Sequence, residues 1–291
     1  MPADNDLLHR FVFDDTDIRG EIVTLQDSIK TLFAPQSYPL LLRSLMGEFI
    51  RAAALLASTL KFDGLLTLQA RGQGLVPLIM AEVDHNKRLR GIIKISDPDQ
   101  PLPVNNLPTL MGKGSVLSIT IDPDQGQRYQ GIVPLDAPSL ADCLEHYFEQ
   151  SEQLPTRIWL TSDGNTASGL LLQRLPQQLA SESSNTEAWE NRVQLANTST
   201  SEELLTLDHQ QLLTRLFHEE GVRCYEPIKF AFGCSCSKQR SSRALQQLGQ
   251  EDAEQLLREQ GVITLDCQFC GFQYRYDQKD IAALFAPQTR H

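Results

Sequence analysis

Four cysteines near the carboxyl-terminal end of the sequence have the spacing of metal ligands. Cys234 and Cys236 are separated by one residue, and Cys267 and Cys270 are separated by two. Pairs of cysteines joined by a spacer of a few tens of residues are typical of tetrahedral zinc sites, in which each pair forms one chelating loop. Gly271 follows the second pair and allows the backbone to turn beneath the sulfurs. Ligands only one residue apart are unusual, because they must bind one metal ion from a tighter loop.

Basic residues surround the first cysteine pair, and no acidic residue occurs between positions 227 and 250. The basic residues are Lys229, Lys238, Arg240 and Arg243. A zinc ion bound by four thiolates carries a formal negative charge, so nearby cations are expected to stabilise the thiolates and to lower their pKa. A module this short, with few large apolar side chains, is expected to need a metal ion for its stability.

Two roles for such a zinc site stay open from the spacing. In the first, zinc is a permanent structural ion, which is the commoner role of these loops. In the second, the site is a switch, because each pair is close enough in sequence to form a local disulfide and expel the metal. Zinc contributes about 10–16 kcal/mol to the folding of such modules, so its loss would unfold this one. The spacing taken alone favours the structural role.

Composition and charge limit the classes of protein to which the chain can belong. A length of 291 residues suggests two domains, and a net charge of −11 argues against a nucleic-acid partner, since an acidic protein repels phosphates. The sequence predicts no secretory signal and no membrane partner, because it has neither a basic start followed by an apolar run nor about 18 consecutive apolar residues. The chain is therefore expected in the cytoplasm, where thiols stay reduced and clustered cysteines indicate metal or redox chemistry.

The first part of the sequence predicts an α+β domain of antiparallel sheets with helices. Strand-like segments flank turn-forming residues, as on either side of PDQG and of DGNTA. The segment SYPLLLRSLMGEFIRAAALLASTL predicts one long helix, and Ser139 with Asp142 predicts a capping box at the start of another. Hairpins outnumber crossover connections, which favours this class over a doubly wound parallel sheet.

The chain is predicted to have three parts: an α+β core over residues 1–178, a metastable helical linker over 179–228, and a zinc-binding module over 229–291. The composition changes near residue 179, and positions 181–220 hold eight acidic residues and only two arginines. Short helices of this kind depend on packing for most of their stability. Both a plain tether and a segment docked on the core are compatible with this composition.

The linker also carries apolar residues at helical spacing. Two capping boxes, Ser184 with Glu187 and Thr200 with Glu203, predict two helix starts. The residues that we call the linker apolar set are Trp189, Val193, Leu212, Leu213, Leu216 and Phe217. If the linker docks, these side chains are expected to pack on the sheet of the core.

No other residues form a recognisable catalytic motif. Cys143 has apolar neighbours at helical spacing and is predicted to be a buried core thiol, and Cys224 has no predicted role. The six histidines are scattered, without a cysteine or carboxylate at catalytic spacing. A phosphate-binding loop, a GxSxG motif and an HExxH motif are absent from the sequence. The chain is therefore not expected to be an enzyme.

Several segments along nearly the whole chain match one family of proteins. They are RGEIVTL, STLKFDGLLTLQARG, YQGIVPL, CLEHYFEQSEQLPTRIWL, EELLTL, FHEE and above all CSCSKQR with CQFCG. Together they resemble the bacterial thirty-three-kilodalton heat-shock protein family of redox-regulated molecular chaperones. Zinc loops alone would be weak evidence, but the same loops behind these amino-terminal segments are specific.

The resemblance implies a holdase that works without ATP. Reduced members of the family are inactive and bind one zinc ion per chain. Carried over by position, the ligands here are Cys234, Cys236, Cys267 and Cys270. Oxidation forms two disulfides, which by position are Cys234 with Cys236 and Cys267 with Cys270, releases zinc and unfolds the module.

The resemblance also implies that the linker then loses its support and exposes a surface for unfolding client proteins. The oxidised form is a homodimer. The linker apolar set supplies the candidate client-binding residues, and the switch replaces the permanent ion as the preferred role of the zinc. The alternative is a zinc-ribbon adaptor for nucleic acid or the ribosome, with the basic run over 229–243 as its contact, although the acidic net charge opposes it.

Overall fold

Strands and helices account for most of the computed structural model, which describes residues 4–59, 63–102 and 106–286. The strands are β1 Leu7–Phe13, β2 Ile18–Leu25, β3 Gly64–Arg71, β4 Leu78–Asp84, β5 Arg88–Lys94, β6 Val116–Pro123, β7 Tyr129–Pro134, β8 Thr156–Ser162, β9 Ala167–Arg174, β10 Val222–Cys224, β11 Ile228–Lys229, β12 Ala231–Phe232, β13 Ile263–Asp266 and β14 Gln273–Tyr276. The helices are α1 Asp27–Phe33, α2 Leu40–Thr59, α3 Leu107–Met111, α4 Leu140–Tyr147, α5 Glu182–Ala196, α6 Ser201–Thr206, α7 His209–Phe217, α8 Lys238–Leu248, α9 Gln250–Gln260 and α10 Gln278–Leu284. A π-helical turn, Phe148–Glu152, extends α4.

The chain divides into two units, Met1–Gly233 and Cys234–His291. The first unit therefore includes the whole of the predicted linker and also β11 and β12, which pair with β1 and β5. The division into three parts, with boundaries near 178 and 228, stays a prediction. The two compact units do not test whether the linker is a separate, metastable part of the first unit.

Two six-stranded sheets form the first unit. In the first sheet the strand order is β10–β1–β2–β9–β8, with β11 also paired to β1, and in the second it is β12–β5–β4–β3–β6–β7. Apart from the short parallel pair β12–β5, the pairs within these sheets are antiparallel. The predicted α+β class and the predicted hairpins β6–β7 and β8–β9 are confirmed.

The long helix α2 packs against strands of both sheets. Most of the surface of α2 is apolar. A helix that contacts two sheets buries more than the single apolar stripe of a surface helix. Met46, Phe49 and Ile50 are fully buried and belong to the largest apolar cluster of this unit. The helix was predicted to reach Leu60, which lies outside the described residues; α2 is described as far as Thr59.

The first sheet is buried on both of its faces. Along β2, Val23 contributes to the cluster around α2, whereas Ile22 contributes to a second cluster on the opposite face. Along β9, Leu171 and Leu170 divide in the same way. Consecutive apolar residues in a strand are typical of a sheet that is covered on both sides. The second face is covered by the linker helices α5, α6 and α7, so the docked alternative is the observed one.

The second unit is small. It contains α8, α9, the antiparallel hairpin β13–β14 and α10. Its buried apolar residues are Leu245, Ala253, Ile263, Tyr276 and Ile281. A core of this size gives limited stability to an isolated module, which agrees with the predicted need for a metal ion.

Candidate metal centre and the helices on the first sheet

The four predicted ligands lie together in the second unit. The Sγ atoms of Cys234 and Cys267 are 3.6 Å apart, those of Cys236 and Cys270 are 3.5 Å apart, and the four sulfurs all lie within 4.8 Å of one another. A tetrahedral zinc ion with Zn–S bonds of about 2.3 Å requires sulfurs separated by about 3.8 Å. All six cysteines, each within the described ranges, are thiols without a disulfide. The cluster therefore has the donor atoms and the dimensions of a four-thiolate metal site.

Two chain segments position these sulfurs. Cys234 and Cys236 lie directly before α8, which Ser237 caps by accepting a hydrogen bond from the Arg240 N–H. The second pair lies in the turn between β13 and β14, where Gly271 has a φ of 68°. The Gly271 N–H donates to the Cys267 carbonyl at 2.8 Å, which closes the turn beneath the sulfurs. The predicted reason for glycine at this position is therefore confirmed.

Tyr274 is a part of the thiol site that no local sequence pattern indicates. Its hydroxyl donates a hydrogen bond to Cys236 Sγ at 3.1 Å. Although burial alone raises the pKa of Cys236, the hydrogen bonds from Tyr274 and from the neighbouring thiols lower it to about 7. Burial, followed by the hydrogen bonds with the other three thiols of the cluster, raises the pKa of Cys270 to about 12. Tyr274 follows the second pair on β14, so its distance from Cys236 in sequence hid this contact.

Two of the basic residues near the first cysteine pair make contacts that their position in the sequence did not indicate. Lys238 forms an ion pair with Asp280 on α10, with 2.7 Å between Nζ and Oδ1. The Arg240 guanidinium donates to the Ser235 carbonyl at 2.8 Å and so braces the loop between the first two cysteines. Tyr274 and the other thiols, and not these cations, make the main contributions that lower the pKa of Cys236. The expectation that the basic cluster lowers the pKa of the thiols stays a prediction, and for Cys236 the main contributions come from other groups.

The linker helices hold most of their apolar side chains against the first sheet. Leu212, Leu213, Leu216 and Phe217 on α7 are at most 3% exposed. The ring of Phe217 packs edge-on against Phe13 of β1, with 5.1 Å between ring centroids. Trp189 and Val193 of α5 are half-buried, and Trp189 packs at the margin of the same cluster. The linker apolar set thus faces the sheet mainly through α7.

Polar contacts that the sequence pattern did not predict fix the start of α5. The Asp17 carboxylate accepts hydrogen bonds from the backbone N–H groups of Gln178, Leu179 and Ala180, and from the Asn185 side chain at 2.7 Å. The bond from Gln178 is the largest of the contributions that lower the pKa of Asp17 to about 2. The Asp17 N–H donates in return to Asn185 Oδ1. The segment that leads into α5 and the first turn of that helix are therefore held by one carboxylate.

A buried arginine holds the other end of the linker. Arg192 on α5 forms an ion pair with Glu220 at 2.7 Å, and its guanidinium lies over the ring of Phe13, 4.8 Å from the centroid. Helical spacing assigned this face to apolar residues, so the pattern gave no sign of a buried ion pair. Cys143 is buried in the cluster around α2 as predicted, and Cys224 is an exposed residue of β10.

Comparison with known proteins decides the family. The model of the Hsp33 protein family matches residues 6–277. The chain belongs to the Hsp33 family. Two relatives named 33 kDa chaperonin support this: the protein of Azotobacter vinelandii (strain DJ) is 53% identical, with 98% of this chain and 96% of the relative covered, and that of Ectopseudomonas mendocina (strain ymp) is 52% identical, with 99% and 100% covered.

A solved structure supports the same fold. The crystal structure of the 33 kDa chaperonin (heat shock protein 33 homolog) from Thermotoga maritima matches with a TM-score of 0.79, 22% identity, and coverage of 96% of this chain and 97% of that chain. Membership of the Hsp33 family indicates a chaperone that is not an enzyme, and a chaperone of this family is expected to bind unfolded proteins. Within the described ranges, none of the helices is both long enough and apolar enough to cross a membrane.

Proposed function

We propose that this Hsp33 family member is a holdase that works without ATP and that oxidation activates. When reduced, it binds one zinc ion per chain and is inactive. When oxidised, it forms two disulfides, releases zinc, associates as a homodimer and binds unfolding client proteins. It is located in the cytoplasm. It binds neither nucleic acid nor a membrane. The observation that carries the switch is the cluster of four thiols in a unit with a small apolar core.

Zinc is the metal that fits the donor set best. Four cysteine sulfurs form a soft, anionic site, and sulfurs held 3.5–3.6 Å apart across the two pairs need little movement to reach tetrahedral spacing. When bound, zinc holds the thiolates together and contributes the free energy that the small core lacks. The Tyr274 hydroxyl and the Arg240 guanidinium hold the loop around Cys236 in place.

Oxidation removes the ligands in two equivalent steps. In each step two thiolates lose two electrons and form one sulfur–sulfur bond, while one molecule of peroxide takes up these electrons and two protons, its oxygen–oxygen bond breaks, and two water molecules leave. We assign the bonds to Cys234 with Cys236 and to Cys267 with Cys270, on the family resemblance and the short loops. Sulfur–sulfur distances of 3.5 and 3.6 Å also join one pair to the other, so the pairing needs a direct test. Peptide mapping of oxidised protein should recover the two local bonds, and Cys236 joined mainly to Cys267 would contradict the assignment.

Chain continuity supplies a route from the thiols to the linker. A single residue separates Phe232, the end of β12, from Cys234. Between α7 and that point the chain is held by three strands of two or three residues, β10, β11 and β12. Such short pairings add little stability each, so unfolding that begins at Cys234 can proceed back to α7. Release of the linker helices would uncover the apolar face of β1, β2 and β9 together with the linker apolar set, a surface suited to unfolded chains.

Light scattering tests the function directly. A heat-denaturing client protein should stay soluble, without ATP, when peroxide-oxidised protein is present, and should aggregate when the same amount of reduced, zinc-loaded protein is present. Equal behaviour of the two forms would contradict regulation by oxidation. Salt-dependent binding of RNA by the reduced protein, without protection of the client by the oxidised protein, would indicate the zinc-ribbon adaptor instead.

A further inference from the structure

Two histidines and an aspartate meet where the linker joins the first sheet. His9 lies on β1, His209 is the first residue of α7, and Asp4 lies in the turn before β1. The Nδ1 atoms of the two imidazoles are 2.8 Å apart, and Asp4 Oδ2 lies 4.0 Å from His209 Nδ1. One ligand atom from each of the three residues can be chosen so that all lie within 4.8 Å of one another. The two histidines are 200 residues apart in sequence, so no local motif indicates this cluster.

Hydrogen bonds orient the His209 ring. Its Nε2 atom lies 3.0 Å from Thr24 Oγ1, and the ring is 2% exposed. The Thr24 hydroxyl donates its proton to Ser168 Oγ, so Thr24 Oγ1 accepts from His209 Nε2–H. In that tautomer the lone pair is on Nδ1, where it accepts a hydrogen bond from His9 Nδ1–H at 2.8 Å, so a bound metal ion would take the place of this proton between the two nitrogens. Metal-binding histidines typically donate their other ring N–H to an oxygen atom in this way.

Asp4 also holds the start of α7. Its Oδ2 atom accepts a hydrogen bond from the His209 backbone N–H at 2.6 Å, which fixes the carboxylate beside the imidazole. A cavity of about 750 Å³ opens next to these three residues and is lined in addition by Asp208 and His218. The cavity provides an entry path and room for water molecules to complete a coordination sphere, and Asp208 adds a second negative charge.

We propose that Asp4, His9 and His209 bind a divalent transition-metal ion at a second site, separate from the four thiols. Two imidazole nitrogens and one carboxylate oxygen suit zinc, cobalt or nickel, whereas magnesium and calcium prefer oxygen ligands. Tetrahedral Zn–N bonds of about 2.0–2.1 Å separate the nitrogens by about 3.3 Å, so the rings need to move apart by about half an ångström. Rotation of the half-buried His9 side chain towards the cavity provides this movement.

An ion at this site joins the amino-terminal turn, β1 and α7. It therefore clamps the linker helix to the sheet, and a ligand that binds only the docked form stabilises that form by mass action. This regulatory consequence rests on the proposed function, in which release of α7 activates the chaperone. Binding of the ion itself does not depend on that function.

Cobalt titration of the full-length protein tests the site. The protein is first reduced and loaded with one equivalent of zinc, which fills the thiol site, and cobalt is then added while absorption and heat are recorded. A second equivalent should bind with the absorption of cobalt in nitrogen and oxygen ligands, without thiolate-to-cobalt charge transfer. The variants His9→Gln and His209→Gln should each weaken this binding by at least about tenfold, because loss of supporting residues around a metal already costs that much.

Matched controls separate the outcomes. His146→Gln changes an exposed histidine of α4 and should leave both metal equivalents unaffected. Circular dichroism checks the fold of each variant. If His209→Gln does not fold, because His209 is buried, His9→Gln alone tests the site. Cobalt binding should also slow amide exchange in α7. The proposed site is wrong if zinc-loaded wild type binds no further cobalt, or if both histidine variants bind it as wild type does. Failure to protect a client would contradict the proposed function and leave the second site intact.

Discussion

Replacing Cys267 with serine should prevent tight zinc binding and unfold the second unit of the reduced protein. Three thiolates leave one position of the tetrahedral site open. Zinc binding contributes about 10–16 kcal/mol to the folding of comparable modules, which is as large as the whole stability of many domains. The small apolar core, which among the described residues of this unit has five buried members, cannot replace that contribution. Cys267→Ser is therefore expected to unfold this unit, as is the loss of any other of the four thiols.

Metal analysis and hydrogen exchange measure this effect together. The zinc content should fall from one ion per chain to far less, and protection should be lost across α8, α9 and the β13–β14 hairpin. Cys224→Ser is the matched control, because Cys224 is an exposed thiol of the first unit. Full zinc occupancy in a variant that lacks both Cys267 and Cys270 would overturn the assignment of the ligands.

The ligand set was accessible to sequence analysis because its signal is local. Each cysteine pair lies within one short loop, and Gly271 marks the turn of the second. Tyr274 was not accessible, since its contact with Cys236 spans 38 residues and depends on the way the hairpin folds against the first loop. The ion pair of Lys238 was not accessible for the same reason, because its partner Asp280 lies 42 residues away.

Replacing Leu216 with glutamate should activate the reduced, zinc-loaded protein without any change at a thiol. Leu216 is 2% exposed and packs in the cluster between α7 and the first sheet. Full burial of a leucine contributes about 1.5–3 kcal/mol, and an unpaired carboxylate at the same place adds a further desolvation cost. Ordering the linker already costs about 1–2 kcal/mol of backbone entropy per residue, so its docking is sensitive to such a loss.

Client protection in the light-scattering assay gives the measurement for this variant. Leu216→Glu should suppress aggregation without oxidant and should retain one zinc ion per chain. Gln211→Glu is the matched control, since it adds the same charge at an exposed position of the same helix and should stay inactive when reduced. If the amides of α7 lost their protection from exchange in Leu216→Glu and the client still aggregated, release of the linker would be excluded as the cause of chaperone activity.

Sequence patterns predicted the presence of helices better than the residues at which they start. The capping boxes at Ser139, before α4 of the core, and at Thr200, before α6 of the linker, are both observed, because these contacts lie within four consecutive residues. The box predicted at Ser184 is wrong: Ser181 caps α5, and Ser184 lies inside the helix. Both serines suit a cap by residue type, and the start of α5 is held by a contact distant in sequence, the bond between Asn185 and Asp17, 168 residues away.

The burial of the first sheet on both faces was also only partly predictable from the sequence. The apolar run in β9 is compatible with a sheet covered on both sides, but nothing in the run shows that α5, α6 and α7 supply the second cover. Helical spacing correctly places the four apolar residues of α7 on one buried face. It fails at Arg192, because a buried ion pair with Glu220 looks in sequence like two solvated charges. Contacts between distant segments therefore account for most of what the sequence did not reveal.

Hydrogen exchange of the wild-type protein before and after oxidation tests linker release most directly. In the reduced, zinc-loaded form, amides of α5 and α7 should be protected, because these helices pack on the first sheet. After peroxide has formed the disulfides and zinc has left, exchange should rise across residues 182–217, while α2, which packs against both sheets, keeps its protection. Oxidised protein that protects a client while residues 182–217 stay as protected as in the reduced form would contradict release of the linker as the mechanism.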